Sequence, residues 1–126
     1  MSPKLIKFFK GFVYAQNGIY HGANGRNMKV HLFVAFLVVL FSLLLGISPL
    51  EWFIVLICIA SVISAELINS AIEEICDLVR DRLHLDYSAT THARDLAAGA
   101  VLVLSLSSAI IGLIIFIPKL IGIFLF

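Results

Sequence analysis

Apolar residues are not scattered along this chain. They gather into three long runs separated by short polar stretches. The first run is broken only by His31, Ser42, Gly46 and Ser48. A bilayer crossing takes roughly 20 apolar residues, so this run predicts a transmembrane helix over 30–48, ended by Gly46 and Pro49. The second run begins at Trp52. Its first part crosses the bilayer, and the helical pattern then continues into polar sequence, which predicts a span with an extension over 52–80. The third span is expected over 94–118, closed by Pro118 and Lys119, with an apolar tail that can extend it. Ahead of the first span, Leu5, Phe8, Phe9 and Phe12 share one helical face, and Lys4, Lys7 and Lys10 stand apart from it. That pattern predicts an amphipathic helix over 3–24 lying on the membrane; a flexible basic leader is the other reading. The glycines and asparagines of 21–27 predict a break. The fold class is an all-α membrane protein: one integral-membrane domain, 1–126, with a surface helix and three transmembrane helices.

Composition supports this picture. The chain has 126 residues, of which 61% are hydrophobic and only 13% charged, against about a quarter charged in ordinary soluble domains. The mean hydropathy is +1.07, so the bilayer is its natural solvent. A net charge of +1 gives no case for a nucleic-acid partner. Cys58 and Cys76 fit no zinc or redox spacing and read as buried thiols. Positive charge is uneven. Lys4, Lys7, Lys10, Arg26 and Lys29 precede the first span, and Arg80, Arg82 and Arg94 lie between the second and third. The other side has only Glu51 and Lys119. By the positive-inside rule the N-terminus and the longer loop face the cytoplasm.

The second helix carries polar residues that a simple membrane anchor would lack: Glu66, Asn69, Ser70, Glu73, Glu74 and Asp77. At about 100° per residue, Glu66, Glu73 and Asp77 fall within roughly 40° of one another, with Asn69 and Ser70 flanking them. The stripe is about 16 Å long by the helical rise. Glu74 points elsewhere. Glu66 lies inside the expected span, where a carboxylate costs roughly 2.5–3.5 kcal/mol. It must face the bundle interior or a wet cavity. It is a candidate general base, or else a protonated residue gluing helices together. Glu73 at the water edge suits magnesium, which takes one or two carboxylates plus substrate phosphates.

The third helix opens on Thr90-Thr91-His92-Ala93-Arg94-Asp95. Thr90 or Thr91 is a candidate N-cap. Arg94 beside a carboxylate and metal cluster suits polyphosphate binding; it is otherwise a positive-inside anchor. No Walker loop, kinase glycine loop or zinc motif is present.

Residues 65–77, AELINSAIEEICD, resemble the signature of the small bacterial integral-membrane diacylglycerol kinases, a family that includes undecaprenol kinases. Residues 93–101, ARDLAAGAV, are similar to its second motif, and 12–18 and 26–31 to its first helix and first span entry. The resemblance covers nearly the whole chain. It implies a homotrimer in the bacterial inner membrane with active sites shared between protomers. It implies transfer of the ATP γ-phosphate, with Mg2+, to a lipid alcohol, undecaprenol or diacylglycerol. Carried over, Glu66 is the general base and Asn69 supports it, Glu73 is the metal ligand, and Tyr14, Asp77, Arg94 and Asp95 lie near the nucleotide. Two positions depart from the pattern: Gly25 stands where the family has a glutamate, and Arg94 where it has a lysine. A membrane enzyme hydrolysing lipid or nucleotide phosphates, or a non-catalytic, ion-conducting bundle, are the alternatives.

Overall fold

The structure is a computed structural model that describes residues 2–125. Met1 and Phe126, the ends of the expected domain, lie outside the described residues. Four helices follow one another: α1 (Pro3–Ala23), α2 (Arg26–Leu44), α3 (Pro49–Leu83) and α4 (Ser88–Leu125). No strand occurs among the described residues. Helices α2, α3 and α4 are each long and apolar enough to cross a membrane.

Helix α1 starts with Pro3 in its first turn, where the missing N–H costs nothing, and the Ser2 hydroxyl accepts from the Leu5 N–H at 3.4 Å. None of its residues is buried. Phe8 and Phe12 stack edge to face, 5.2 Å between centroids, on an apolar face that no other helix covers. Only its end meets the bundle. Gly22 sits against the Leu67 side chain, and a Cβ at Gly22 would collide with it.

The link between α2 and α3 is tightly specified. Gly46 takes a φ of +58°, a left-handed conformation that glycine adopts without penalty. The Gly46 N–H donates to Leu43 O at 3.4 Å and the Ile47 N–H to Ser42 O at 3.3 Å, the paired bonds of a Schellman motif. Ile47 then packs with Val55 and Ile115 into a small apolar core. Helix α3 begins ahead of the expected 52 because Ser48 and Glu51 form a capping box around Pro49. The Glu51 carboxylate also pairs with Lys119 at 3.1 Å.

Helix α3 has 35 residues, about 52 Å at the helical rise, against a hydrocarbon core of about 30 Å. It therefore projects well beyond the membrane. It ends at His84, in the left-handed region with φ 51°. Helix α4 begins earlier than residue 94. Thr90 and Thr91 do not cap it; their hydroxyls donate back to Tyr87 O at 3.4 and 3.2 Å, inside the first turn. Helix α4 also runs on past Pro118 to Leu125. A proline is tolerated in a membrane helix when neighbours secure the freed backbone, and Lys119 is anchored to Glu51. Helix α3 packs mainly on α4, less on α2, and α1 touches α2 and α3 lightly.

Candidate active site on α3

The buried positions of α3 are Val55, Val62, Glu66, Asn69 and Cys76. Their spacing of three, four and seven residues makes them one stripe. The first half is apolar and packs as core. The second half carries functional groups on the same face. Glu66 is only 4% exposed and Asn69 3%. The periodicity that buries Val55 and Val62 thus also drives a carboxyl and an amide into the bundle.

One turn further on, the Asn69 Nδ2 donates to Glu73 Oε1 at 3.1 Å. Asn69 Oδ1 is buried and has no hydrogen-bond donor among the described residues. Such an acceptor costs about 1–3 kcal/mol, a cost that a ligand's O–H or a cation would remove. Two ionisable groups act on Glu66: His31, from α2, and Glu73. His31 was not foreseen as a site residue. Its signal was present: an ionisable residue inside a span is a functional candidate by default.

Among the described residues, no three His, Cys, Asp or Glu side chains converge as a ready metal cage. Magnesium does not require one. It keeps several waters and binds through one or two carboxylates plus phosphate oxygens. Glu73 and the free Oδ1 of Asn69 are two hard oxygen donors on one helix face. The residues fit an ion that arrives with a polyphosphate.

At the loop end of α3, Asp77 accepts from Arg94 Nη2 at 2.8 Å and pairs with Arg80 Nη1 at 2.9 Å. Arg94 also donates from Nε to Thr90 Oγ1 at 3.3 Å and stacks over the Tyr87 ring at 5.0 Å. Its side chain is only 12% exposed. Asp77 and Arg94 are therefore brought together. Arg80, Tyr87 and Thr90 complete the cluster; the i,i+3 spacing of Asp77 and Arg80 was the available signal.

Other candidates are not brought to this face within the chain. Tyr14 is 68% exposed on α1, and Asp95 is exposed. Glu74 lines a different feature, a crevice of about 630 Å3 between α1 and α3 that also borders Ser70, His21 and Gly25. Gly25 is the N-cap of α2 and gives it no side-chain cap bond. A Cβ there would lie 3.2 Å from Gly22 O and 3.8 Å from Met28 Cβ, so a side chain fits after a small adjustment.

A bundle of three helices apolar enough to cross a membrane, the longest with a buried carboxyl, an amide and an ion-pair cluster along its second half, defines a small polytopic membrane protein. The family model of prokaryotic diacylglycerol kinase matches residues 13–116, and the chain belongs to that family. It is a lipid kinase by this membership. An undecaprenol kinase of Bacillus subtilis (strain 168) is 43% identical over 118 residues, covering 93% of this chain and 94% of that protein. A diacylglycerol kinase of Synechocystis is 28% identical over 123 residues, covering 97% of this chain and 67% of that protein. No solved structure gives a significant match.

Proposed function

We propose that this protein transfers the γ-phosphate of ATP to a lipid alcohol at the cytoplasmic face of the bacterial inner membrane, with undecaprenol preferred over diacylglycerol. The line Glu66–Asn69–Glu73 on one face of α3 carries the reading. Glu66 takes the proton from the lipid hydroxyl as its oxygen forms a bond to the γ-phosphorus in line with the departing ADP. A base sunk in the bundle near the interface can meet a hydroxyl whose tail stays in hydrocarbon. Glu73, with Asn69 Oδ1 beside it, would hold Mg2+, which when bound neutralises charge on the phosphates. Asn69 fixes Glu73 through its Nδ2, leaving the second carboxylate oxygen free.

The substrate preference rests on the greater identity to the undecaprenol kinase. The Asp77–Arg94 cluster, with Tyr14 and Asp95, belongs to the nucleotide side. Tyr14 stands clear of the α3 stripe in the single chain, which supports a homotrimer whose sites are shared between protomers. The orientation, with the α3–α4 loop in the cytoplasm, follows the arginine and lysine distribution.

The test is direct. The purified protein, given radiolabelled ATP, Mg2+ and each alcohol in lipid–detergent micelles, is expected to form labelled lipid phosphate, faster with undecaprenol. Release of inorganic phosphate with neither lipid labelled would refute the kinase reading for this chain.

A further inference from the structure

A cavity of about 340 Å3 lies between α2, α3 and α4. Its volume is within the range of small-molecule pockets, roughly 300–1,000 Å3. Its wall is almost wholly apolar and includes Val38, Val62 and Phe116. On α4 the wall contains Ser108 and Gly112, whose small size leaves room. His31 and the Cys58 thiol are the ionisable groups in that wall, and His31 is also the α2 residue whose charge acts on Glu66. Val62 precedes Glu66 by one turn, about 6 Å along the helix, on the same buried face. The cavity thus starts beside Glu66 and runs away from it, through the hydrocarbon region, toward Phe116 and Leu120.

We propose that this cavity takes the hydrocarbon tail of the lipid alcohol next to its hydroxyl, and that His31 at its mouth positions that hydroxyl against Glu66. The inference rests on the lipid-kinase reading above and adds where the substrate lies. A lipid alcohol must present a polar end to Glu66 while its tail stays out of water. Entry from the open bilayer meets the first condition at random. A channel walled by three spans of one chain, almost wholly apolar and with His31 beside Glu66, meets both. His31 has a ring N–H or a lone pair to offer the hydroxyl, so it is a positioning residue and not the base.

Two experiments on the full-length protein in nanodiscs test this. In the first, Gly112→Leu fills the cavity. A Cβ at Gly112 meets only the Phe116 ring, at 3.8 Å, so the backbone tolerates it. The ratio of kcat/KM for long-tailed to short-tailed prenols should fall by about tenfold, the scale on which a filled apolar pocket discriminates. In parallel, His31→Leu should raise KM for the lipid alcohol about tenfold with KM for ATP unmoved, and His31→Gln should restore part of it. An unchanged chain-length ratio in Gly112→Leu overturns the proposal, whether or not oligomeric state changes; a changed oligomeric state would assign the cavity to a second copy of the chain.

In the second experiment the unmodified protein is irradiated with a prenol carrying a diazirine near its hydroxyl end. Labels are expected on cavity residues such as Val38 and Ser108, and excess unlabelled prenol should remove them. Labels confined to the outward faces of α2 and α4 overturn the proposal. So do labels that excess prenol leaves in place, since those mark bulk phospholipid chains. Failure of the wild-type protein to phosphorylate any lipid alcohol is a different result, and it overturns the kinase reading instead.

Discussion

At the Ser48 end of the bundle the polar groups of the turn are paired. The Ser48 N–H donates to Glu51 Oε2 at 2.6 Å, the Ser48 hydroxyl accepts from the Glu51 N–H at 3.3 Å, and Lys119 closes on the same carboxylate. Ile47, Val55 and Ile115 fill the space between the helices. Halfway along the same helix the logic reverses. Glu66 is buried, and Asn69 Oδ1 has no donor among the described residues. Both regions of α3 belong to one regular helix with one buried face. The difference is that the first half satisfies its polar groups internally, while the second leaves Asn69 Oδ1 without a donor among the described residues. Unsatisfied buried groups persist where a ligand completes them.

That contrast can be broken from either side. Glu66→Gln removes the base and keeps the shape. Turnover should fall by about 10^2–10^4, the usual contribution of a general base, with the elution volume in size-exclusion chromatography unchanged. Normal turnover would return Glu66 to the role of helix glue. Asn69→Leu removes the hold on Glu73. The Mg2+ concentration for half-maximal rate should rise by about 10–100-fold, the scale of a lost supporting bond to a metal ligand; an unmoved magnesium dependence would detach Asn69 from the metal. Gly25→Glu places an acid at the entry of α2. We expect the magnesium requirement to ease by roughly 10-fold, or about 1.4 kcal/mol, as read by titration of Mg2+ at fixed ATP. No change would mean that the chain holds its metal without that position. Smallest is Ser48→Ala at the paired end. Loss of the cap should cost about 1 kcal/mol of stability, seen as a lower melting temperature, with kcat per folded molecule intact.

The two ends were not equally legible in the sequence. The spans were, because runs of 20 apolar residues have few other uses. So was the α3 stripe, since helical phase alone places Glu66, Glu73 and Asp77 together. The Ser48-Pro-Leu-Glu51 box was legible but passed over, which is why the helix starts at Pro49 and not at Trp52. The pairing of Asp77 with Arg94 was foreseen only as proximity. It depends on the left-handed turn at His84, and no periodicity specifies that. His31 was missed because one histidine in an apolar run has no spacing partner; its neighbour Glu66 comes from another helix. Tyr14 and Asp95 came only from family likeness, and the single chain gives them no place beside the stripe.

The central claim is that the second half of the α3 stripe is the kinase's reaction centre and the first half its scaffold. The most direct test measures phosphate transfer to undecaprenol and thermal unfolding together, for Glu66→Gln and Ser48→Ala side by side in the same lipid. The account predicts that Glu66→Gln loses transfer by at least about 100-fold with its melting temperature held. It predicts that Ser48→Ala melts lower and transfers phosphate normally. Transfer retained by Glu66→Gln would contradict it.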